Sequence, residues 1–80
     1  MVKSLTELKS DESGTVLKIE GGRGLLNRLG ALGIIPGQRI TKISSVSMQG
    51  PVTVLVKRTQ LALGFGMAGK IIVNVNRDVK

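Results

Sequence analysis

The chain contains no cysteine, no histidine, no tryptophan and no tyrosine. The missing cysteine removes disulfides, thiolate nucleophiles and soft metal ligands together, and fits a reducing cytosol. The missing histidine removes the side chain that most often exchanges protons near neutral pH, and with it the commonest metal-binding imidazole. Phe65 is the single aromatic residue, so a core must be assembled from Leu, Ile, Val and Met. No run approaches the roughly 20 apolar residues of a membrane span. Met1-Val2-Lys3-Ser4 does not open a signal peptide, and a cytoplasmic protein is expected. Acid is scarce beyond the first quarter: Glu7, Asp11, Glu12 and Glu20 precede residue 21, while residues 21–77 carry eight basic side chains and no acidic one. With a net charge of +7, one flank of the folded chain is expected to present a positive field to acidic partners or anionic headgroups.

These absences narrow the chemistry. Ser44, Ser45 and Ser47 lie near Lys42 in sequence, but on a strand and its turn they read as polar surface rather than as a nucleophile and its base. Asp11 and Glu12 are adjacent in a loop and point apart, which argues against paired carboxylates. With Glu20 they offer at most a loose site for a divalent ion, because five carboxylates and three thioethers are all the chain has to give. No enzymatic activity, no cofactor and no tight metal site are expected. Eighty residues make one small domain, placed at 1–75, with 76–80 as a loose tail.

The chain is organised around Arg28-Leu29-Gly30-Ala31-Leu32-Gly33-Ile34-Ile35-Pro36-Gly37-Gln38-Arg39-Ile40. Leu25, Leu26, Leu29 and Leu32 recur at helical spacing, predicting a short helix with its leucines turned inward. Gly33 is placed just past the helix end in a left-handed conformation, so that Ile34 packs back on Leu29 in a Schellman ending. Pro36 and Gly37 occupy the two central positions of a type II turn, and a strand follows near Arg39. Gly30, inside the helix, is tolerable if another backbone crosses closely there.

Around that stretch, Ser4-Leu5-Thr6-Glu7 matches a capping box and predicts a helical turn that plugs one end of the fold with Leu5 and Leu8. Strands are predicted over 15–20, 39–46, 52–57, 61–63 and 71–75. The apolar spacing 40, 43, 46 requires a bulge near Lys42, and 52–57 is apolar enough for burial on both faces over part of its length. Gly50-Pro51 turns the chain, residues 58–60 make a short connection, and 64–69 form a tight corner of 3-10 type. A mainly β fold results: a small, strongly bent antiparallel barrel of about five strands, with a short helix inserted after the first.

The run R-L-x-x-L-G-I-x-P-G-x-x-I at 28–40, followed by Gly50-Pro51-Val52, Leu61-Ala62-Leu63-Gly64 and Met67-Ala68-Gly69-Lys70-Ile71-Ile72-Val73, resembles the FeoA family of small bacterial and archaeal proteins. A related domain closes the metal-dependent repressors of the diphtheria-toxin-repressor type. The resemblance spans 5–75 and implies an SH3-like barrel with added helices. Its one departure is Asp11, which stands where the family usually carries glycine, so the first turn is expected to differ. The resemblance also implies a role in ferrous iron uptake, with the membrane transporter FeoB and its cytosolic GTP-binding part as partner. Docking is then expected around Leu25, Leu26, Met48 and Met67, assisted by Arg23 and Arg28, with the membrane reached only through the partner and the chain itself a monomer.

Two other readings come from the residues. A basic barrel can follow nucleic-acid phosphates, yet base stacking needs an aromatic platform that a lone Phe65 does not supply. An accessory domain of a metal-dependent transcriptional regulator, acting as a separate chain, is the third.

Overall fold

Apolar side chains on alternate positions make half-buried strands, and six of them organise the computed structural model, which describes residues 1–45 and 50–75. In order they are β1 (Val2–Ser4), a 3-10 turn (Leu5–Glu7), β2 (Ser13–Ile19), α1 (Arg23–Ala31), β3 (Arg39–Ser45), β4 (Val52–Val56), β5 (Thr59–Leu63), α2 (Phe65–Ala68) and β6 (Ile71–Val75). All neighbours are antiparallel in the order β1-β6-β2-β3-β4-β5. The strand that sequence did not reveal is β1, paired as Val2–Asn74, Lys3–Val73 and Ser4–Ile72. Val-Lys-Ser is too short to show alternation, and its partner lies at the far end of the chain. Met48 and the proposed tail at 76–80 lie outside the described residues.

A single core collects Leu5 and Leu8 from the N-terminal segment, Leu29 from α1, Ile34 from the turn after it, and inward-facing Val and Ile from β2, β3, β4 and β6. The Ser4 N–H donates to Glu7 Oε1 at 2.9 Å, so the expected glutamate half of the capping box holds Leu5 and Leu8 in place. In β4, Val52, Val54 and Val56 are buried while Thr53 and Leu55 are half-buried. It is therefore an ordinary alternating strand rather than one buried on both faces.

The central stretch folds as its residues dictate. Gly33 adopts φ +90°. Its N–H donates to Gly30 O and that of Ile34 to Leu29 O, both at 2.9 Å, the two bonds of a Schellman ending. Leu29 and Ile34 are fully buried. Gly37 takes φ +93° and Gln38 N–H donates to Ile35 O at 3.0 Å, completing the type II turn around Pro36. The turn is tied to β2 by Gly37 N–H to Val16 O (2.8 Å) and Val16 N–H to Gln38 O (2.9 Å).

The leucine face differs from expectation. Leu29 is buried and Leu25 half-buried, but Leu26 is 40% and Leu32 42% exposed. Leu25 and Leu29, four apart, form the single line along which α1 meets the core. Leu26 is one residue, or about 100°, off that line, and Leu32 is already the cap, with φ −93° and ψ 1°.

Gly30 has no strand against it either: a Cβ there would sit 3.8 Å from Ile35 Cγ2, an ordinary contact. Gly30→Ala is therefore expected to stabilise the protein by about 1 kcal/mol through helix propensity, raising the urea midpoint without changing the slope.

Both sheet irregularities fall at bends. The β3–β4 register shifts between Lys42 and Ser44, where a bulge was predicted, and β2 shifts against β6 between Val16 and Lys18, leaving Leu17 exposed. The β4–β5 connection is shorter than 58–60: Val56 pairs with Thr59, so the loop is Lys57-Arg58 alone. Its residues take φ +49° and +68°, the pattern of a type I′ turn, whose usual Asn-Gly signature is absent. Asp11 sits at φ +71°, with Glu12 N–H donating to Lys9 O at 3.0 Å. The first turn thus keeps the left-handed residue that glycine would supply, and Asp is among the side chains that tolerate it. The corner after β5 is α-helical, Ala68 N–H bonding Gly64 O and Gly69 N–H bonding Phe65 O.

Candidate functional site: an exposed apolar helix face

Three chemistries can be tested on the geometry. Lys42 does not pair with Ser44, because it is turned inward: only 3% exposed, it donates from Nζ to Thr6 O at 3.0 Å and Leu8 O at 2.7 Å, while Ser47 lies outside the described residues. Ser44 stays exposed. Burial pushes the Lys42 pKa down, and the Glu12 carboxylate partly opposes this.

The three acids weighed as a loose cation site do not converge. Asp11 and Glu12 precede β2 and Glu20 follows it. Glu12 Oε1 accepts from Lys9 N–H at 2.8 Å and Lys3 Nζ at 3.1 Å, contacts that hold its carboxyl below the usual range, the Lys9 N–H contributing most. Glu20 faces Lys18 at 3.4 Å. Among the described residues no three Asp, Glu, His or Cys side chains gather where a metal ion would bind.

What remains is surface. Arg23, Leu26 and Arg28 are exposed along α1, with Leu25 half-buried beneath them. Arg28 lies in the last turn, where a cation suits the helix dipole. Met67 is half-buried against the core from α2, so it offers a partner only part of its side chain. The two helices meet the same end of the β2–β6 ladder: Ile19 pairs with Ile71, and Glu20 N–H donates to Lys70 O at 2.7 Å. Phe65 on α2 adds a 41% exposed ring and Leu32 a further exposed leucine.

Sequence reasoning missed a second feature, a groove of about 360 Å³ on the opposite side of β3 and β4, lined by Gln38, Arg39, Thr41, Leu55, Lys57 and Arg58. The signal was available in the alternation of 39 and 41 with buried Ile40, and of 55 and 57 with buried Val54 and Val56. It was hidden by the unrecognised turn at 57–58.

Fold and surface together define a small SH3-like domain with apolar and cationic side chains exposed on its helix α1. The FeoA domain model matches residues 3–75, and the chain belongs to the FeoA family. A Methanocaldococcus jannaschii protein provisionally named Fe(2+) transport protein A is 37% identical over 65 residues, which are 81% of this chain and 77% of that protein. The crystal structure of an iron uptake regulatory protein, FeoA, superposes with a TM-score of 0.85 at 32% identity, covering 94% of this chain and 97% of the other. The zinc complex of Stenotrophomonas maltophilia FeoA, described as a procaryotic SH3 domain protein, gives 0.76 at 25% identity over 89% and 88% of the two chains. A manganese-dependent transcriptional repressor shares the fold, with a TM-score of 0.84 at 21% identity, over 92% of this chain and 41% of its own.

Proposed function

We propose that this protein is a non-enzymatic accessory protein of ferrous iron uptake, cytoplasmic, which docks on the cytosolic part of the membrane transporter FeoB and modulates transport. The observation that carries this reading is the exposed leucine of α1. A helix that meets its core along a single line leaves Leu26 outward with Arg23 one turn before it on the same side and Arg28 on the other flank, and a short rigid helix presenting an apolar residue beside a cation suits a groove on a partner protein. Met67 extends that surface, and Met48 is assigned to it from the sequence alone. Membership in the FeoA family and the iron transport name of the archaeal relative supply the biological direction. Iron itself is the transporter's cargo, and no carboxylate cluster among the described residues would carry it. Among those residues no helix is long and apolar enough to cross a membrane, so the membrane is reached through the partner. Binding alters transport by favouring one conformation of the transporter, to the extent of the difference in affinity for its states.

Capture of the transporter from solubilised membranes by the tagged chain tests the reading. Leu26→Asp is expected to reduce capture about tenfold, the effect of truncating a central contact residue, while the chain stays folded with a melting temperature lowered by only about 5 °C, the cost of aspartate at a partly exposed helix position. Undiminished capture by Leu26→Asp and by Met48→Asp would exclude this surface.

A further inference from the structure

The groove on the outer face of β3 and β4 goes beyond the docking surface just described and shares none of its residues. Arg39, Thr41, Leu55 and Lys57 alternate with the buried Ile40, Val54 and Val56, so all four project outward. Arg58 joins them from the turn, and Gln38 completes the lining. Thr41 is fixed in place by a 2.7 Å hydroxyl contact with Ser13. The ion pairs found among the described residues, Lys3–Glu12 and Lys18–Glu20, involve none of the three cations of the groove. Two of those cations are held against conformational preference: Lys57 and Arg58 both occupy left-handed backbone positions that Asn-Gly would fill with little strain. Backbone strain of this kind gathers at functional sites, and here the strained pair supplies two of the groove's three charges.

We infer that this groove binds an acidic peptide segment of a partner protein. Its cations, Arg39 at the start of β3 and Lys57 and Arg58 in the β4–β5 turn, gather at one end, and Thr41 and Leu55 carry the groove on along the two strands, a length that suits several side chains of an extended acidic chain better than one compact phosphate. Leu55 and the aliphatic stems of Arg39 and Lys57 give such a chain an apolar floor. No aromatic ring lines the groove to stack a base. None of the exposed large apolar side chains (Met1, Val2, Leu17, Leu26, Leu32, Ile35 and Phe65) lines it to enter a bilayer.

The test titrates the full chain into a fluorescein-labelled decapeptide of alternating glutamate and serine, followed by polarisation at 50 and 300 mM salt. Arg39→Gln/Lys57→Asn/Arg58→Gly is expected to bind roughly eightfold more weakly at low salt, about twofold for each surface ion pair lost. The same variant should melt about 5 °C higher, because its turn is relaxed, so a folding defect cannot imitate the loss. Wild-type binding should weaken steeply at 300 mM salt. Lys9→Gln/Lys18→Gln/Lys70→Gln, which removes the same charge elsewhere, and Leu26→Asp should bind the peptide as wild type does. The inference is overturned if the groove variant keeps full affinity, or if the lysine control loses as much. It is overturned equally if decauridylate, inorganic phosphate or vesicles of phosphatidylcholine and phosphatidylglycerol bind through these residues while the peptide does not.

Discussion

Gly14→Ala is expected to lower stability by about 3 kcal/mol, at the upper end of the cost of overfilling a core, and the melting temperature by on the order of 15 °C. Gly14 is buried near the start of β2, paired with Ile40 on one side and Val75 on the other. A Cβ there would lie 2.5 Å from Val73 Cγ1 and 2.6 Å from Asn74 O. The valine can rotate or be shortened. The carbonyl belongs to the ladder and cannot withdraw without parting β2 from β6. Gly14→Ala/Val73→Ala should therefore recover little of the loss beyond what Val73→Ala alone explains, and urea denaturation of the two single variants and the double reads the difference. Full recovery in the double variant would mean that the side chain, and not the backbone, forbids the methyl.

Lys42→Met is expected to cost about 3 kcal/mol. Two effects compete. Removing a buried ammonium relieves the desolvation that pushes its pKa below 10.5, and replacing a buried charge by an apolar side chain of similar length is often neutral or better. Against this, Thr6 O and Leu8 O lose their 3.0 and 2.7 Å donors, and each buried acceptor left without a partner costs about 1–3 kcal/mol. The second effect wins because both carbonyls belong to the segment that carries Leu5 and Leu8 into the core, so neither can turn to water without withdrawing a leucine. Chemical denaturation checks the magnitude, and amide exchange at Leu8 should accelerate with the variant. Unchanged stability with fast exchange would show that the lysine orders the turn without stabilising the whole.

The two residues also mark where sequence reading stops. Gly33, Pro36 and Gly37 act on their immediate neighbours, and the helix ending and type II turn they direct were legible from spacing alone. Ile40, Ile43 and Val46 exposed the need for a bulge in β3, because a strand's two-residue period makes any break visible. Which side chain then turns inward was not visible, and the place falls to Lys42 because Thr6 and Leu8, far away in sequence, present carbonyls there. Gly14 falls just outside the strand predicted over 15–20, because β6, the strand that crowds it, is far away in sequence. Of the candidate surface, Leu26 was legible only as one leucine among four; its exposure depends on how narrowly α1 meets the sheet. Arg39, Lys57 and Arg58 became a group only when the hairpin showed which of them share a face.

The strand order carries a consequence for biosynthesis. Among the described strands β6 is made after all the others, yet it lies between β1 and β2, which precede the rest. Until it emerges, β1 has no neighbour at all and β2 keeps an open flank, so the nascent polypeptide waits with apolar side chains uncovered. Late insertion of this kind holds back assembly until β6 has been made, and it makes the incomplete sheet a candidate for chaperone capture in a way the completed one is not.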